Sequence, residues 1–175
     1  ISGIFQVVSL CVYRIHTGDH QPPNTGGKRV ELLTPYQLRA MADPEWSIER
    51  LFPTGAFVVL YGSPGSGKSW IALDWAFHIA LGMPWQGLSV KQAPVVYIAA
   101  EGRGGLGKRI GAWLTRYHPV PEIPVYFGLQ PLDVLGDGPG ELIAACTAFT
   151  SGPHEPAVDL VPGLIVIDTL TRCFT

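Results

Sequence analysis

The sequence predicts an α/β domain built on a doubly wound, mostly parallel sheet. Three observations predict it. Short apolar runs alternate with helix-length stretches from residue 56 onward. A glycine-rich loop, Gly62 to Ser69, joins the first of these runs to the first helical stretch. A later run, Leu164-Ile165-Val166-Ile167, ends on the acidic Asp168. Strands that alternate with helices pack as right-handed crossovers on a parallel sheet.

The elements follow in order. Residues 1–43 read as an N-terminal extension and linker. Within them, Ile4 to Tyr13 has the apolar content of a strand, and His16 to Lys28 is a linker marked by Pro22-Pro23 and Gly26-Gly27. A short helix is expected over Pro35 to Ala42, with Thr34 as its N-cap and Pro35 at its first position. Glu45 to Phe52 leads into the core. Ala56 to Tyr61 is an unbroken apolar run, as a parallel strand buried on both faces requires. Lys68 to Leu81 is the first long helix, closed by Gly82 and Pro84. Ala93 to Ala100, Pro124 to Phe127 and Leu164 to Asp168 are further strands. Leu106 to Tyr117 and Pro139 to Thr150 are the helices between them.

Composition bounds the function. The 175 residues suffice for one domain with its own core. The chain is 47% hydrophobic but only 15% charged, and no apolar run is long enough to span a membrane. Ile1 to Ile15 lacks the basic start and cleavage site of a signal peptide, so a cytoplasmic location without a membrane partner is expected. Cys11, Cys146 and Cys173 are odd in number and widely spaced, which argues against a disulfide framework or a zinc site. A net charge of −2 gives no strong field for nucleic acid, yet leaves room for basic contacts on a few loops. The chain opens on Ile1 and ends at Thr175, a few residues after a strand central to such a fold, so a C-terminally incomplete fragment is expected.

The strongest chemical signal is Gly62-Ser63-Pro64-Gly65-Ser66-Gly67-Lys68-Ser69, which fits the phosphate-binding pattern G-x-x-x-x-G-K-[ST] at every fixed position. It lies between a strand and a helix, as that chemistry demands. Glycines let backbone amides wrap around phosphates, and the helix N-terminus adds partial positive charge. Lys68 is in reach of the β- and γ-phosphates, and the Ser69 hydroxyl suits Mg²⁺. ATP with Mg²⁺ is therefore the expected ligand. Asp168, at a strand tip, is placed to hold Mg²⁺ through water; the alternative is a cap on the following turn. Glu101 also closes a strand. It suits a base that orients and deprotonates the attacking water, beside the plainer reading of a loop carboxylate or a partner for Arg103. Gly102 to Gly107 fits G-x-G-x-x-G, but on the wrong strand for a dinucleotide site, and reads as flexible backbone next to Glu101. Trp70, Trp75, Trp85 and Trp113 are read as packing residues, and His78 as a packed side chain.

Taken together, the Walker A segment, Ala99-Ala100-Glu101-Gly102, Ile167-Asp168-Thr169-Leu170-Thr171-Arg172 and the lead-in Trp46 to Gly55 resemble the RecA-type P-loop ATPases. Within these they are most similar to the RepA-like hexameric helicases, the AAA-domain ATPases of phages and plasmids. The resemblance covers about residues 44–175. It implies a RecA-like sheet, ATP hydrolysis with Glu101 and Lys68 as catalytic residues, a hexameric ring, single-stranded DNA as partner and a role in DNA replication. It also implies an arginine finger and DNA-binding loops beyond Thr175. In such sheets the next strand inserts between the strands that carry the P-loop and the metal-binding Asp. This chain is expected to lack that strand, and so to bind nucleotide poorly on its own. Recombination or regulatory ATPases of the RecA and KaiC kind, a P-loop small-molecule kinase, and a nucleotide switch without turnover are the competing functions.

Overall fold

The computed structural model describes residues 6–11, 32–100, 103–118, 122–149, 160–169 and 173. Its elements are β1 (Gln6–Cys11), α1 (Pro35–Arg39), β2 (Trp46–Ile48), β3 (Phe52–Pro53), β4 (Phe57–Gly62), α2 (Lys68–Leu81), β5 (Val95–Ala99), α3 (Arg103–Tyr117), β6 (Val125–Gly128), α4 (Gly138–Thr147) and β7 (Leu164–Asp168). Five strands form one sheet in the order β4-β1-β7-β5-β6. β5 runs parallel to β6 and to β7. β1 runs antiparallel to both of its neighbours, β4 and β7.

The central strands read as continuous apolar runs because both of their faces are covered. Along β5, Val95, Tyr97 and Ala99 join one cluster, while Val96 and Ile98 join another. β7 divides in the same way, with Leu164 and Val166 on one side and Ile165 and Ile167 on the other. α2 fills the first cluster with Ala72, Leu73, Ala76, Phe77, Ile79 and Ala80, all nearly inaccessible. Leu106 and Trp113 of α3 join them there. Cys146 of α4 and Cys173 close the second cluster. α2 ends where expected: Gly82 turns left-handed at φ 65°, Gly82 N–H donates to Ile79 O, and Met83 N–H donates to His78 O.

α2 and α3 are tied by polar contacts as well as packing. The Asp74 carboxylate accepts from Trp85 Nε1 and Trp113 Nε1, each at 2.8 Å, and lies 3.2 Å from His78 Nδ1. Phe77, Trp113 and Tyr117 stack in series with ring centroids 4.4 Å apart. Burial works against a charged His78, yet its hydrogen bonds to the Asp74 side chain and carbonyl, with the Asp74 charge, outweigh it and raise the pKa. Burial likewise opposes a charged Asp74, but three side-chain donors prevail and its pKa is lowered.

Several expectations need correction. The position between β4 and β7, expected to be missing, is filled by β1, a strand from the stretch read as an extension. Because β1 is antiparallel, the sheet is parallel only across β7, β5 and β6. β4 is not buried on both faces. It is a sheet edge, and its outward residues Phe57, Val59 and Tyr61 are 66%, 43% and 74% exposed. Only Val58 and Leu60 turn toward the core. Gly104, Gly105 and Gly107 lie inside α3 and are not a flexible loop. Each helical glycine costs about 1 kcal/mol relative to alanine, but burial of Leu106 and Trp113 prevails over that local preference. α1 and α4 end earlier than expected, at Arg39 and Thr147. The β2–β3 pair, within the stretch read only as a lead-in, is an additional finding. Trp70, expected to pack, is 48% exposed.

Candidate functional site

The loop after β4 is shaped by glycine. Gly65 and Gly67 have φ of 78° and 88°, the left-handed region that strains other residues, and Gly67 is the N-cap of α2. Gly62 has a different reason to lack a side chain, since a Cβ there would lie 3.0 Å from Ser66 Oγ. Ser63, Pro64 and Ser66 are exposed on the loop, whereas Ser69 is half-buried in the first turn of α2. The first amides of any helix have no partner within it, so those following Gly67 face the loop as donors.

Lys68 is the buried cation of the site, only 5% exposed. Its Nζ donates to Gly62 O at 3.0 Å, Ser63 O at 2.8 Å and Ser66 Oγ at 3.3 Å. All three ammonium protons are thus engaged by the loop itself, which is how a buried cation is tolerated.

Asp168 ends β7 and is 4% exposed. The sheet register brings it to the same end as the loop. Gln6 of β1 pairs with Gly62 on one side, and Val8 pairs with Asp168 on the other. Val8 also pairs with Leu60, so two strand spacings, about 9–10 Å, separate the backbones of Leu60 and Asp168, and the loop begins two residues further along β4. On the far side of β7, Ala99 pairs with Asp168, and Ala100 N–H donates to Asp168 O at 2.8 Å. The peptide bond between Asp168 and Thr169 is cis. Glu101 follows directly in the chain but lies outside the described residues, as do Gly102 and the Leu170 to Arg172 run.

Tyr97 is a participant that sequence reasoning missed. Its hydroxyl donates to Asp168 Oδ2 at 2.8 Å, and the residue has no exposed surface. Burial, then the Asp168 charge and the hydrogen bond, raise the Tyr97 pKa far above the usual phenol value, so it stays protonated and donating. Asp74 was missed too. Its single acidic side chain inside an apolar helix, four residues before His78, was the available signal.

A glycine-shaped loop, a buried lysine at a helix start and a buried aspartate two strands away have the chemistry that a phosphate site requires. Compared with known families, residues 37–175 match the AAA domain. The chain belongs to the AAA-domain family. This is a family of nucleotide-binding P-loop ATPases that includes RepA-like helicases. Comparison with curated proteins and with solved structures gives no match.

The residues of this AAA domain fit ATP and magnesium. The left-handed glycines leave backbone amides as donors, and Lys68 supplies a cation already surrounded by oxygen acceptors that phosphate oxygens can replace. Ser69 and Asp168 are hard oxygen donors of the kind magnesium takes. Among the described residues, no helix is long and apolar enough to cross a membrane.

Proposed function

We propose that this chain is the ATP-hydrolysing part of a RecA-like motor, of the RepA-like replicative helicase type. One observation carries the reading: Lys68 sits buried at the start of α2, held by the loop's own carbonyls, at the same end of the sheet as Asp168. In this reading residues 44–175 are the ATPase domain, and the extension before it contributes β1. Gly62 to Ser69 bind the ATP phosphates through backbone amides, and Lys68 exchanges its loop acceptors for β- and γ-phosphate oxygens. Ser69 and Asp168 are the residues that would hold magnesium, Asp168 through water. When bound, magnesium neutralises charge on the phosphates. Glu101, next in the chain after Ala100, takes a proton from the attacking water and orients it. The whole protein works as a hexameric ring on single-stranded DNA, with an arginine finger from a neighbouring subunit.

The test is ATP hydrolysis by the full-length protein with magnesium, with and without single-stranded DNA. Stimulation by DNA that is lost in Lys68→Ala and Glu101→Gln supports the motor. Turnover indifferent to DNA argues for a regulatory ATPase or a small-molecule kinase instead. Binding without turnover, unaffected by Glu101→Gln, removes Glu101 from its role and leaves a nucleotide switch.

A further inference from the structure

We propose that Tyr97 is a positioning residue for magnesium: its buried hydroxyl holds Asp168 Oδ2, fixing the carboxylate so that the other oxygen, Oδ1, serves the metal's water shell. The proposal rests on the reading of Asp168 given above and names what sets its geometry. Three observations carry it.

The first is reach. In the parallel register Tyr97 pairs with Val166, and Ala99 with Asp168. Tyr97 is thus two residues short of the strand tip. A tyrosine ring laid along the strand spans that diagonal, and the hydroxyl arrives 2.8 Å from Oδ2. Serine and threonine are too short, and phenylalanine spans the distance without a donor.

The second is burial. Tyr97 is fully enclosed and Asp168 is 4% exposed. In such a place the phenol hydroxyl needs a partner, and a carboxylate oxygen needs a donor. Each satisfies the other, so the Asp168 side chain is not free to rotate between equivalent states.

The third is anchorage. The Tyr97 ring packs in the same core cluster as α2, the helix that carries Ser69. It also lies 5.5 Å, centroid to centroid, from the Phe127 ring of β6. A donor held this firmly transmits the position of the core to Asp168. Outer partners that orient metal ligands in this manner are typically worth 10–100-fold in metal affinity.

The experiment measures nucleotide affinity in EDTA and then across a magnesium titration, using a fluorescent ATP analogue and the full-length protein. Tyr97→Phe should keep the EDTA affinity within about twofold and raise the magnesium midpoint about tenfold. Replacing Tyr97 with 4-methylphenylalanine, which fills the hydroxyl's space without a donor, should give the same shift. Replacing it with 4-aminophenylalanine, which keeps a donor, should restore the wild-type midpoint. That last pair decides the matter even where the phenylalanine variant folds poorly. A magnesium midpoint unchanged in both donor-less variants overturns the inference, as does an equal loss of affinity with and without magnesium. Failure of the unmodified protein to bind the analogue in either condition sinks the proposed function, and this inference with it.

Discussion

At the scale of single residues, the site holds a charge that is satisfied before any ligand arrives. Lys68 donates to Gly62, Ser63 and Ser66, so under the proposed function binding phosphate is an exchange of acceptors and not the pairing of a bare cation. Charge-assisted bonds of this kind are worth about 1.5–3 kcal/mol each. Lys68→Ala is therefore expected to weaken ATP binding by roughly 10–100-fold, read by calorimetry. The His78–Asp74 pair gives a pH prediction. His78 has a raised pKa, so its contribution is complete below the ordinary value of 6.5 and is lost as pH rises through the higher folded value. Asp74 has a lowered pKa, so its contribution is present above 3.8 and is lost as pH falls through the lower folded value. As pH rises above 6.5, the thermal midpoint of the wild type should fall more steeply than that of His78→Gln. At pH 6 the variant should be less stable by about 1 kcal/mol.

At the scale of elements, two glycines make opposite predictions. Gly111 lies exposed within α3, and an added Cβ meets nothing within 4 Å. Gly111→Ala should raise stability by about 0.5–1 kcal/mol, or roughly 1–4 °C in Tm. Gly163, just before β7, has its backbone against Ala93, whose Cβ occupies the space a side chain would need. Gly163→Ala should lower stability by about 1–3 kcal/mol, since strands β5 and β7 must part to admit it. Both are read from thermal unfolding. The elements also divide by how far the sequence determined them. α2 and β7 have the ends that the sequence predicts, because Gly67, Gly82 and Asp168 punctuate them locally. The capping box of Thr34 and Gln37 is likewise local and legible. α3 begins earlier than the sequence predicts because Leu106 and Trp113, anchored in a distant core, hold glycines in helix. β4 is more exposed than the sequence predicts because an apolar run does not say whether it lies at the centre of a sheet or at its edge.

At the scale of the whole molecule, what could not be read was which strand lies beside which. The phosphate loop and Asp168 were both visible as sequence patterns. Their proximity depends on β1, which no motif marks, and on register across three strands. Nor does spacing reveal Tyr97, whose partner is 71 residues away. Strand order also has a test. Removing residues 6–11 should leave β4 and β7 without their shared neighbour, lower Tm and abolish ATP binding even with Lys68 and Asp168 intact. Unchanged affinity in that deletion would mean that the two halves of the site hold their spacing without β1.

The same strand imposes an order of events during synthesis. β1 leaves the ribosome before both of its partners, β4 after the linker and β7 near residue 168. Until β7 emerges, β1 has only the ladder to β4 on one side, and the site between β4 and β7 stays unfinished. A strand made before both of its partners is thus fully seated only when the later one arrives. A growing chain therefore carries no competent nucleotide site before the β7 segment emerges, however early its phosphate loop has been translated.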